Sequence, residues 1–137
     1  MKKLLLFIAV IVILGGGFAF YLYNKPVASI DSIDAALTIS ADELFSQFEN
    51  NETEANSKYL GKIIEVHGKV KDFSIGDSGD LNLVLASGNE MFGINCGLAK
   101  GQDVRYKNYQ VGDSIKIKGE CTGILSDVVL TRCVIVK

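Results

Sequence analysis

Histidine and proline each occur once among the 137 residues, and the three cysteines lie far apart. There is no C-x-x-C, and the only histidine, His67, is not near any cysteine in sequence, so the spacings that hold zinc are missing. No serine, cysteine or lysine has a recognisable partner for nucleophilic catalysis, and no paired-carboxylate motif stands out. No catalytic residue, metal or cofactor is therefore expected. Surplus positive charge is missing as well: 14 Lys and Arg stand against 16 Asp and Glu, a net charge of −2, so no basic field announces nucleic acid. The first cysteine, Cys96, lies too far along to follow an apolar leader, which argues against lipidation.

Charge is also missing from Leu4 to Asn24, and here the absence is informative. At ~1.5 Å per residue, a helix from Leu4 to Tyr23 would be about 30 Å long, the thickness of a bilayer's hydrocarbon core. Residues 1–24 are expected to be a retained transmembrane anchor, since the run outlasts the ~7–15 apolar residues of a signal peptide and lacks a clean small-x-small site. Lys2 and Lys3 precede it, so the positive-inside bias keeps the N-terminus in the cytoplasm and sends the remainder out. Residues 25–39, small, acidic and sparsely apolar, suit a tether. The ~110 residues beyond the anchor suffice for one small domain, assigned to 40–137. Asp31 to Glu54 holds seven acidic residues and no basic one, read as a solvated spacer and helix face.

Ser40-Ala41-Asp42-Glu43 is a capping-box pattern and predicts a helix start. Leu44, Phe45 and Phe48 share one helical face, Asn50-Asn51 can end this piece, and Ala55, Tyr59 and Leu60 extend the stripe before Gly61 stops it. From Lys62 the apolar period changes to two. Five strands are expected: Ile63 to Phe73 with a bend at Gly68, Leu81 to Ala86, Met91 to Cys96, Ser114 to Cys121, and Val128 to Val136. A nonstrand interval, Gly97 to Gly112, leaves room for a short helix around Lys100 to Tyr109. This order predicts a mainly β fold, a five-stranded OB-like barrel with a short N-terminal helical region behind one transmembrane helix, an open sandwich being the alternative.

In an exported domain the cysteines would meet an oxidising compartment. Cys121 and Cys133 flank the last hairpin at similar distances from a turn near Asp127, which makes them a candidate cross-strand disulfide. Cys96 with Cys133 is the competing pair, and three buried thiols the third possibility. His67 is expected on the outward face of the first strand, as a surface residue. Asp72 with Asp77-Ser78-Gly79-Asp80 reads as turn chemistry rather than a cation loop. Lys69, Lys71, Lys116 and Lys118 would make a basic patch across the first and fourth strands, though strands often carry such lysines as a solvated face. The usual OB nucleic-acid face would offer Asn82, Val84, Gly93 and Asn95, with little to stack on except Phe73.

Asn51-Glu52, Ala55, Lys58-Tyr59, Gly61-Lys62, Glu65-Val66 and Gly68-Lys69-Val70 together form a pattern that resembles the tRNA-anti-like family of OB-fold domains. The likeness continues in Asn95-Cys96, Gly112-Asp113, Lys118-Gly119-Glu120-Cys121-Thr122-Gly123, Val129-Leu130 and Cys133, and covers roughly Asp42 to Ile135. It implies an OB barrel, kinship with anticodon-binding domains, and the small, membrane-tethered or exported form typical of family members. The expectation is a single-pass protein of the cytoplasmic membrane that presents an extracytoplasmic OB module. Its role would be non-catalytic binding or assembly in the cell envelope, with a protein or small anionic partner. A nucleic-acid-binding OB domain is the alternative.

Overall fold

The structure is a computed structural model that describes residues 2–23, 30–76, 80–102 and 108–136. The apolar run forms helix α1, Lys2–Tyr23. Its described side chains, Val10 to Leu22, are exposed and span only about 20 Å at ~1.5 Å per residue. Among the described residues no helix is long and apolar enough to cross a membrane, so the fold does not itself support the expected span.

Ahead of the barrel, a 3-10 turn, Ile30–Ser32, leads to a short strand β1, Thr38–Ser40. Two helices follow, α2 (Ala41–Asn50) and α3 (Glu52–Tyr59). Ser40 caps α2 as expected, its Oγ accepting from Glu43 N at 3.2 Å. Asn51 serves both helices. Its N–H closes α2 on Gln47 O, and its Oδ1 accepts from Glu54 N to open α3. Gly61, at φ +72°, takes the left-handed conformation that lets the chain leave α3 for the sheet.

The barrel strands are β2 (Ile63–Ile75), β3 (Leu81–Ala86), β4 (Gly93–Leu98), β5 (Ser114–Ile124) and β6 (Val128–Val136). Their hydrogen-bonded order is β1-β2-β3-β4-β6-β5, and β5 pairs back onto β2 to close the five. The long β2 makes closure possible. Ile63 to Lys69 pairs with β5, while Val70 to Ile75 pairs with β3. β1 lies parallel to β2 from Glu65 to His67, along the edge that β3 leaves uncovered.

The period-two apolar residues point inward: Ile64, Val66, Leu83, Leu85, Ile94 and Ile117 are fully buried. Leu44, Phe45 and Phe48 of α2 join them at one end of the barrel, and Tyr59 of α3 is buried against Phe48 with ring centroids 6.0 Å apart. Burial contributes ~1.5–3 kcal/mol for each large apolar side chain. The Tyr59 hydroxyl donates to Gln47 Oε1, so the ring's polar tip is satisfied at the helix pair's edge. Residues 25–39 are not all spacer: Ile30 and Ile39 are buried, and Lys118 Nζ donates to Ile33 O at 2.9 Å. Part of the interval expected to hold a short helix, and Asp77 to Gly79, lie outside the described residues.

Cys133 packs where Gly119 has no side chain. A Cβ on Gly119 would sit 2.5 Å from Cys133 Sγ. Gly119→Ala should cost roughly 1–3 kcal/mol by overpacking, read as a lower urea midpoint. The double variant with Cys133→Ala should recover part of that loss, a coupling a double-mutant cycle measures; additive effects would contradict this packing.

Candidate ligand groove and the buried thiols

All three cysteines are buried free thiols. Irregularities between Lys118 and Glu120 and between Cys121 and Gly123 shift the β5–β6 register, so Cys121 lies opposite Leu130. Cys133 is three residues further on, past Arg132, which holds φ +54° and pairs with Glu120. The parallel β4–β6 register sets Cys96 beside Leu130 and Leu98 beside Cys133, so Cys96 neighbours the Cys133 thiol, while its own Sγ donates to Ile94 O at 3.7 Å. Of the two pairings weighed from sequence, Cys96 with Cys133 is the one in contact. Burial, then the Cys96 contact, pushes the Cys133 thiol well up from its ordinary value. Burial also raises Cys121, opposed by a backbone hydrogen bond at Gly123.

The outer face of β2 carries Glu65, His67 and Lys69, and β5 brings Lys116 directly opposite His67. Alternation along β2 is fixed by Glu65 N donating to Leu37 O on the β1 side and Val70 N donating to Asp113 O on the other. His67 and Lys116 are thus a non-hydrogen-bonded pair, the kind whose side chains approach most closely. Glu65, half-buried, reaches the exposed Lys116 at 3.8 Å, a long contact worth little.

The four lysines do not form one free patch. Lys71 Nζ donates to Glu90 O at 2.7 Å, Lys118 to Ile33 O, and Lys116 faces Glu65. Among the described residues, Lys69 and His67 make no side-chain hydrogen bond or ion pair. Both line a groove of about 650 Å³ where α2 starts, with Gly68, Ala86 and Ile115 beneath them and Asp42 at its edge. This groove was not foreseen. The only hint in the sequence was the alternation of His67 and Lys69 around a glycine.

The customary OB ligand face is sparse. Asn82, Val84 and Asn95 are half-buried outward residues of β3 and β4, and Gly93 is buried. Phe73 packs against the core instead of standing free for stacking. Asp72 Oδ1 accepts from Phe73 N at 2.8 Å, and among the described residues no three His, Cys, Asp or Glu gather to hold a metal.

A closed five-stranded barrel with helices at one end defines an OB-type module. The family model for tRNA_anti-like matches residues 1–135, and the chain belongs to that family. A crystal structure from Klebsiella pneumoniae subsp. pneumoniae MGH 78578, described as a "putative nucleic acid-binding lipoprotein", is similar with a TM-score of 0.58 at 20% identity. The match covers 82% of this chain and 100% of that one, and at this identity it bears on the fold alone. No curated protein matches.

The thiols make stability depend on pH. Thiols of the unfolded chain titrate near ~8.5, whereas Cys121 and Cys133 hold their protons to higher pH when folded. Their contribution is complete below that pH and is lost as pH rises above it, because the unfolded state then releases protons first. The thermal midpoint should fall above about pH 8.5, and less steeply in Cys133→Ala. Parallel curves for the two proteins would count against it.

Proposed function

We propose that this chain is a membrane-tethered OB module on the outer side of the cytoplasmic membrane, with a non-catalytic binding or assembly role in the cell envelope. The observation that carries the tether is α1: the run Leu4 to Asn24 is free of charge, and its described side chains stand exposed without protein cover. Lys2 and Lys3 ahead of it favour a cytoplasmic N-terminus. A binding role is supported by the groove, whose His67 and Lys69 are not spent on the protein's own structure. Its partner is an envelope protein or a small anionic molecule met on the barrel's outside.

The Klebsiella protein's description favours a second reading, a nucleic-acid-binding domain. Against it stand a face with Phe73, its one aromatic among the described residues, packed on the core, the loss of Lys71 and Lys118 to backbone carbonyls, and an acidic N-terminal stretch.

Protease added to intact spheroplasts should digest the barrel domain down to the anchor, and a domain protected until lysis would overturn the topology. A labelled single-stranded oligonucleotide should show weak anisotropy change at ~0.15 M salt; tight binding that collapses steeply with added salt would favour the second reading instead.

A further inference from the structure

The edge of β2 is covered by β1 as far as His67 and by β3 from Val70 onward. Between them, Gly68 and Lys69 have strand partners only on the β5 side, Ile115 and Ser114. Helix α2 leaves β1 at this gap. Its first residue rests on Gly68, where an added Cβ would lie 2.9 Å from Ala41 Cβ. The groove is therefore built into the fold: the glycine lets α2 approach, and the break between β1 and β3 opens the space. Its volume, about 650 Å³, lies within the range of small-molecule sites.

Three exposed donors, His67, Lys69 and Lys116, are among its lining residues, and Lys116 also faces Glu65 at 3.8 Å. His67 stands opposite Lys116, and Lys69 stands opposite Ser114, so Lys69 and Lys116 are diagonal neighbours across the strand pair. Diagonal neighbours lie roughly 7–8 Å apart, their Cβ atoms somewhat less, a spacing that two lysine side chains close around one tetrahedral oxyanion. The α2 N-terminus lies beside them and adds a favourable dipole. Asp42 is the one carboxylate among the groove's lining residues. It repels a bare anion and suits a ligand carrying a hydroxyl donor as well.

We infer that this groove binds a small phosphate ester of a polyol. The phosphate lies between Lys69 and Lys116 with an N–H of His67, and a ligand hydroxyl donates to Asp42. The inference rests on the reading of the chain as a binding module and gives that module its ligand class. A free ester and the headgroup of an anionic lipid share this chemistry.

The full chain in phosphatidylcholine nanodiscs is titrated with glycerol 3-phosphate by calorimetry, with inorganic phosphate as the comparison. Saturable binding is expected, weakened at least tenfold in Lys69→Ala/Lys116→Ala and unchanged in Lys62→Ala, whose lysine is outside the groove. Asp42→Asn should narrow the preference for the ester over inorganic phosphate. Absence of saturable binding, or equal binding by the double-lysine variant with an unchanged thermal midpoint, would overturn the inference. Where binding is seen, nanodiscs containing phosphatidylglycerol assign the source: competition with the soluble probe marks the lipid headgroup, and its absence the free ester. Phosphate release is followed in the same samples. Turnover would refute the non-catalytic reading while leaving the groove's ligand in place, whereas loss of binding with an externally digested domain would refute only the ligand.

Discussion

Seven residue pairs between β2 and β5, from Ile63 with Glu120 to Lys69 with Ser114, turn a curled sheet into a closed barrel. This pairing sorts β2 by parity. Its even positions, Ile64 and Val66, enter the core, and its odd positions, Glu65, His67 and Lys69, stay outside. The matching alternation on β5 buries its odd positions Ile115 and Ile117 and sends Lys116 out toward His67. Closure therefore creates the apolar interior and the basic row of the groove in one step, and it leaves no long strand edge open to other chains.

The elements β1 and α2 serve that closure. The short β1 covers Glu65 to His67, part of the edge of β2 that β3 does not reach, and α2 turns directly from it to drive Leu44, Phe45 and Phe48 into the barrel's end. The junction between strand and helix lies over Gly68, so the packing that seals the core also shapes the groove's floor. Inside, the three thiols act as small apolar side chains, and Gly119 yields the space that Cys133 occupies.

Much of the architecture was legible in the sequence. The strands Leu81–Ala86 and Val128–Val136 have the expected bounds, and Ser40 caps its helix as its spacing with Glu43 suggested. β1 escaped because three residues are too few to show a period. The thiol neighbours were harder to read. The hairpin pairs Ile124 with Val128, so its turn centres on Ser126 and not on Asp127, and the register irregularity slides Cys121 one residue further, to Leu130, while the parallel neighbour β4 supplies Cys96. The four-lysine patch dissolved because Lys71 and Lys118 reach carbonyls distant in sequence, contacts that strand periodicity does not encode. For the same reason the groove could not be seen: it depends on α2, β2, β3 and β5 meeting at Gly68.

Barrel and groove both require that β2 and β5 pair in the register that places His67 against Lys116. In a non-hydrogen-bonded antiparallel pair the two α-carbons lie only ~4.5 Å apart, close enough for a strong nuclear Overhauser effect between their α-protons. The full chain, isotopically labelled in detergent micelles, should show this contact for His67 with Lys116 and for Glu65 with Lys118. Contacts displaced by a residue, or none between these strands, would mean a different register or an open barrel, and the groove described above would not exist.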